Sequence, residues 1–231
     1  MTLFDSAPKA RLTLRVLAKL LAYPDAGLRE HLGELREALD AEGALRPARR
    51  AELDALIDAI GGADPLEAEA AYVELFDRGR ATSLHLFEHV HGDSRDRGPA
   101  MVDLAQTYTK AGLDLAEGEL PDYLPAVLEF VSTQPPREAR DFLAETAHIL
   151  NALFGALQQR GSAYASVIGA LLDLAGAKAE AVKPAPEEPL DASWAEPLAF
   201  DGCSTRGQAR PGQPQPINVV RKGDLKEGAR A

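Results

Sequence analysis

A single cysteine, Cys203, is all the thiol chemistry available to this 231-residue chain. An intrachain disulfide and a thiolate metal cluster built from this chain alone are therefore excluded, and a reducing, cytoplasmic setting fits. Aromatic residues are also scarce, at 6%. With Ala and Leu abundant instead, the balance favours helices, because unbranched side chains lose little rotamer freedom there while strands prefer branched and aromatic residues. Long apolar runs are missing as well. The stretch from Leu12 to Leu21 carries Arg15 and Lys19 at helical spacing after Arg11, so it has no signal-peptide core. No later run reaches the length of a membrane span, which argues against membrane insertion. Arg49-Arg50 has no apolar segment after it and does not form an export signal.

Positive charge is the other deficit: 25 basic residues face 36 acidic ones, for a net charge of -11. Such a surface repels phosphate backbones and anionic lipid, so nucleic acid is not an expected partner. From Arg206 onward 6 basic residues face 2 acidic ones, which leaves 19 against 34, or about -15, on the preceding body. A body of that charge attracts basic peptides at long range.

Apolar residues recur at helical spacing up to about residue 175. Clear stripes are Leu12, Val16 and Leu20; Leu28, Leu32, Leu35 and Leu39; Leu53, Leu56, Ile57 and Ile60; and Leu66, Ala70, Val73 and Phe76. Others follow at Met101 to Tyr108, Leu124 to Val131, Phe142 to Leu157 and Tyr164 to Ala175. Breakers fall between them, among them Gly61-Gly62, Gly92, Gly112, Pro135-Pro136 and Gly161. Strand alternation and hairpin signals are absent. These features predict an all-α, compact single-domain bundle of roughly eight or nine helices over residues 1–175. Residues 176–231 are Pro-rich and carry little periodic apolar content, which predicts a disordered carboxy-terminal tail with two short apolar islands, Trp194 to Phe200 and Ile217 to Val220.

One segment resembles catalytic chemistry. His85-Leu-Phe-Glu-His89 matches the inverted zincin pattern H-x-x-E-H. On one helical face His85 and His89 would reach a zinc ion, with Glu88 as general base and His91 behind them. No third ligand stands out, and Gly92 ends the helix at once. The other reading makes Leu84, Phe87 and Val90 core residues and the histidines the wall of a surface, including a peptide groove. Nucleophile elbows, Walker loops and dinucleotide fingerprints are all missing.

The run from Tyr72 to Gly98, Tyr-Val-Glu-Leu-Phe-Asp-Arg-Gly-Arg-Ala-Thr-Ser-Leu-His-Leu-Phe-Glu-His-Val-His-Gly-Asp-Ser-Arg-Asp-Arg-Gly, closely resembles the hallmark of the NarJ family, assembly chaperones of respiratory nitrate reductase. Ala100-Met-Val-Asp-Leu104 and Glu119-Leu-Pro-Asp-Tyr-Leu-Pro-Ala-Val-Leu-Glu-Phe130 continue the likeness. The second block is similar to one kept more loosely in chaperones of the TorD and DmsD type. Many members have His where this chain has Tyr123. The resemblance is strong over residues 10–175.

The resemblance implies a TorD-like, cytoplasmic, non-enzymatic protein without a cofactor of its own. Its partner would be the nitrate reductase catalytic subunit, held through its amino-terminal peptide for molybdenum cofactor insertion before membrane docking. An acidic helical body with an apolar groove suits a basic amphipathic peptide. By motif position, Tyr72, Phe76, Phe87, Tyr123 and Leu124 are candidate groove contacts, with core packing the preferred reading for Phe76 and Leu124. Glu88, Asp122 and Glu129 are candidate partners for basic side chains, and His85 and His89 pH-sensitive walls. Arg95, Asp96 and Arg97 would hold the loop before the next helix; the alternative is a solvated charge run with Asp96 as an N-cap before the Pro99 turn. Pro121 and Pro125 would set a helix start beside the groove. One groove needs no dimer, so a monomer is expected. A zinc hydrolase on His85, Glu88 and His89 and a helical adaptor without a groove are the alternatives.

Overall fold

The computed structural model describes residues 9–92 and 94–180. Within them the chain forms α1 (Arg11–Leu21), α2 (Ala26–Glu30), α3 (Leu32–Glu42), α4 (Pro47–Gly62), α5 (Pro65–Phe76) and a 3-10 turn, Arg80–Thr82. It continues with α6 (Leu86–Val90), α7 (Arg97–Lys110), α8 (Leu124–Thr133), α9 (Pro136–Glu145), α10 (Ala147–Gln159) and α11 (Ala165–Ala175). Among the described residues the one piece of β pairing is an isolated antiparallel bridge between His85 and Tyr123. No described helix is long and apolar enough to cross a membrane.

Local chemistry sets the helix ends. Asp25 accepts the Leu28 N–H at 2.8 Å and starts α2, while Asp64 accepts the N–H groups of Leu66 and Glu67 ahead of Pro65 and starts α5. The first turn of α1 is capped from a distance: Glu42, at the end of α3, takes the N–H groups of Leu12 and Thr13 at 3.1 and 2.7 Å. Gly176 closes α11 in the left-handed region, φ +74°, where a side chain would be strained.

The core gathers around α11, whose Val167, Ile168, Ala170, Leu171 and Leu172 are wholly buried. A helix apolar on every side must be surrounded, and α1, α4, α9 and α10 flank it, with α1 lying along α8. Arg49 on α4 ties the bundle to α11 through Asp173 at 3.0 Å, both side chains being nearly buried.

The all-helical expectation is met. The count of eight or nine corresponds to the nine helices of ten residues or more among the described residues; α2 and α6 have five residues each, too short to show a stripe. The stripe Leu28 to Leu39 does not form one helix, since the chain breaks at His31 between α2 and α3. Of the expected α5 stripe only Phe76 is buried: Leu66 is 76% exposed and Val73 lies at the surface, while Tyr72, outside that stripe, faces inward beside Phe76. Tyr72 decides the rotation, because its hydroxyl donates to the Leu21 carbonyl at 2.6 Å and its ring packs on Phe76, Tyr23 and Tyr164. Of the expected tail, residues 176–231, only 176–180 are described; the rest, with both islands and Cys203, lies outside the described residues.

Candidate functional site

Two helix starts meet at the bridge. His85 precedes α6 and Tyr123 precedes α8, both in extended backbone. The Leu86 N–H donates to the Asp122 carbonyl at 3.0 Å, and the Leu124 N–H donates to the Leu84 carbonyl at 2.8 Å. Short extended segments before helices can pair in this way because their backbone groups are not yet used within the helix. Pro125, in the first turn of α8, brings its own φ to that start, and the carbonyl of buried Pro121 accepts the Tyr108 hydroxyl at 2.7 Å.

Asp122 sits beneath the bridge and is completely buried. One carboxylate oxygen accepts the Phe87 N–H at 3.1 Å, capping α6, for which His85 provides no side-chain cap. The other accepts Nδ1–H of His85 at 3.2 Å. Arg97 Nη2 stands 3.9 Å from Asp122 and 3.6 Å from Glu88 Oε1. The hydrogen bond to Asp122 raises the His85 pKa above its ordinary value, against the opposing effects of burial and Arg97. Burial also raises the Tyr123 pKa. Its hydroxyl is 3.3 Å from that of Tyr72, and its ring centroid lies 5.4 Å from that of His85.

These contacts sort the residues singled out in the sequence. His85, Phe87, Glu88, His89 and Tyr123 are partly exposed and come together around the start of α6. Tyr72, Phe76 and Leu124 are core residues, exposed by 5%, 5% and 2%. Asp122 is not at a groove edge: its oxygens are engaged by its own chain, so it positions α6 and His85 instead. Glu129 stands apart, exposed and 3.3 Å from Lys19, over a separate cleft of about 350 Å³ that includes Tyr108 and Phe130.

The hallmark loop also differs from expectation. Asp96 occupies the residue before α7 but makes no capping bond; its carboxylate accepts the Ser94 hydroxyl at 3.3 Å. Arg95 is exposed, and Arg97 reaches the site's carboxylates instead of only bracing the loop. Sequence reasoning passed over Ser83, whose carbonyl accepts Nε2–H of His89 at 2.8 Å. His85 lies before the helix rather than on it, so the four-residue spacing does not place both histidines on one helical face. Their bonded nitrogens face different protein partners. Among the described residues no three His, Cys, Asp or Glu side chains are grouped to hold a metal ion. The arrangement offers ring surfaces of Phe87, Tyr123 and the histidines beside one carboxylate, Glu88, which suits a ligand with apolar and basic groups.

Comparison with known proteins bears on the same segment. A family model described as nitrate reductase delta subunit matches residues 22–168. The Escherichia coli K12 protein named nitrate reductase molybdenum cofactor assembly chaperone NarJ is 45% identical over 204 residues, covering 82% of this chain and 86% of that protein. NarW of the same strain is 45% identical over 163 residues, 71% of this chain and 68% of that protein. A crystal structure of a redox enzyme maturation protein from Archaeoglobus fulgidus superposes with a TM-score of 0.50 at 21% identity, over 74% of this chain and 96% of that one, a likeness of fold alone.

Proposed function

This chain belongs to the nitrate reductase delta subunit family, and from that premise we propose that it is a non-catalytic assembly chaperone of nitrate reductase. In this reading it acts in the cytoplasm and binds the amino-terminal peptide of the catalytic subunit, holding that subunit for molybdenum cofactor insertion. The observation that carries the peptide site is the cluster at the α6 and α8 starts. Phe87, Tyr123 and the two histidines leave ring surface exposed beside Glu88, on a base fixed by buried Asp122. Apolar peptide side chains would lie on the rings, and a basic one would compete with Arg97 for Glu88. That exchange costs little, because the Arg97 contact is long and partly solvated.

The test is calorimetric titration of the full chain with an amino-terminal peptide of a nitrate reductase catalytic subunit, at low and high salt and with chelator. Expected is binding that weakens with salt, ignores chelator and falls about tenfold in Tyr123→Ala or Glu88→Gln, the loss of one interfacial anchor or charge pair. Loss of binding with chelator would return the site to metal chemistry. Equal binding of a charge-neutral peptide would favour an adaptor, and no binding at all would overturn the reading.

A further inference from the structure

One contact joins a core residue to the cluster at α6. The Tyr72 hydroxyl stands 3.3 Å from that of Tyr123. Each phenol has one proton to give, and that of Tyr72 is already committed: its hydroxyl donates to the Leu21 carbonyl at 2.6 Å, and a carbonyl can only accept. Leu21 is the last residue of α1, so its carbonyl has no donor within the helix. Burial raises the Tyr72 pKa, which keeps the proton in place. In the pair, Tyr123 is therefore the donor and Tyr72 the acceptor.

The acceptor is held on all sides. Tyr72 is buried, and its ring packs on Phe76, Tyr23 and Tyr164 with centroids 4.7, 5.6 and 6.1 Å away. Phe76 and Tyr164 meet edge to face in turn, at 5.1 Å. Tyr123 is placed differently. It is half-buried, and among the described residues the Tyr72 hydroxyl is the one hydrogen-bond partner of its own hydroxyl. The bridge to His85 holds its backbone, which leaves the two torsions of the side chain to be set. The bond to Tyr72 sets them.

We propose that Tyr72 is a positioning residue for the peptide site, fixing through its hydroxyl both the direction of the Tyr123 ring and the hydrogen-bond polarity of the Tyr123 oxygen. This inference rests on the peptide reading above and refines it. Because the Tyr123 proton is given to Tyr72, the lone pairs left on its oxygen can only accept. The carboxylate of Glu88 likewise only accepts, so the site selects peptide groups that donate, an amide N–H or a basic side chain. A ring fixed in advance also loses less rotamer freedom when the peptide seats on it.

Calorimetry with the amino-terminal peptide, on the full chain and on variants that lose one hydroxyl, tests the assignment. Tyr72→Phe keeps the ring stack and removes the acceptor; it should bind roughly three- to tenfold more weakly, the range of one ordinary hydrogen bond. Tyr123→Phe should lose a similar factor, and adding Tyr72→Phe to it should cost no further affinity. Urea unfolding should nevertheless show Tyr72→Phe destabilising the Tyr123→Phe chain, because the bond to Leu21 is lost there too. Tyr164→Phe, which takes a hydroxyl from the same ring stack, should bind as the unmodified chain does. Unchanged affinity in Tyr72→Phe or Tyr123→Phe overturns the proposal, as does an equal further loss when the two are combined. Should circular dichroism show Tyr72→Phe unfolded, unchanged affinity in Tyr123→Phe still refutes it. The free chain gives a readout that needs no peptide. With five tyrosines in all, labelling at Cε resolves the Tyr123 ring by NMR, and its signal should move in Tyr72→Phe. A signal that stays put overturns the positioning role even where the peptide binds. A signal that moves, with no peptide bound by the unmodified chain, overturns the peptide reading instead, so the two fail separately.

Discussion

Asp122 joins two helix starts while sealed from solvent, and that burial makes its removal costly. Asp122→Ala leaves the Phe87 N–H without its acceptor at the α6 start and removes the partner of His85. The expected loss is roughly 2 kcal/mol for a buried donor left unpaired, read from urea unfolding; a loss within error of zero would show that water replaces the carboxylate. His85 supplies a pH signature for the same contact. Its folded pKa is raised by Asp122, so the stabilisation is complete below its unfolded value, about 6.5, and is lost as pH rises through the folded value. The stability gap between the unmodified chain and His85→Gln should therefore narrow from pH 6 to pH 9. A gap that widens would mean His85 is held neutral. None of this was legible in Leu-Pro-Asp-Tyr, because a carboxylate defaults to the surface and only its tertiary partners reveal burial. The clustering of His85, Phe87, Glu88 and His89 was legible, since they are close in sequence; Tyr123 reached them through the motif resemblance and the bridge.

At the scale of elements, periodicity located the long helices but not always their faces. The α5 stripe of Leu66, Ala70, Val73 and Phe76 competes with the face bearing Tyr72, and the two share Phe76. The choice falls to a hydroxyl bond with Leu21 and to rings on α5 and beside α11, distant in sequence. Gly169 gives a sharper case. Alanine in mid-helix ordinarily gains about 1 kcal/mol over glycine. Here a methyl group at residue 169 would land on the Arg49 guanidinium, which Asp173 and Glu52 hold over the α11 backbone. Gly169→Ala should therefore destabilise the chain, by about 1–2 kcal/mol as in other overpacked sites. In an Arg49→Ala background the same substitution should stabilise it. The reversal of sign across this double-mutant cycle, measured by chemical denaturation, is the check; additive effects would show that Arg49 swings aside freely.

Across the whole molecule, charge acts at two ranges. The net charge of -11 produces a field felt before contact, whereas in the proposed reading Glu88 would act only once a peptide is seated. Rates separate the two. Steering by the field raises the association rate of a basic peptide and is screened by salt, so that rate should fall about tenfold or more from low to high ionic strength. The dissociation rate should change much less. Glu30, Glu34 and Glu37 are exposed on α2 and α3 and enter none of the ion pairs described above. Replacing all three with Gln should slow association several-fold and leave dissociation unchanged, because they add to the field without touching the ligand. Glu88→Gln should do the reverse, raising the dissociation rate with a small effect on association. Stopped-flow binding of the amino-terminal peptide would resolve both rates. If association proved independent of salt, capture would depend on apolar contact alone, and the acidic body would have no part in finding the client.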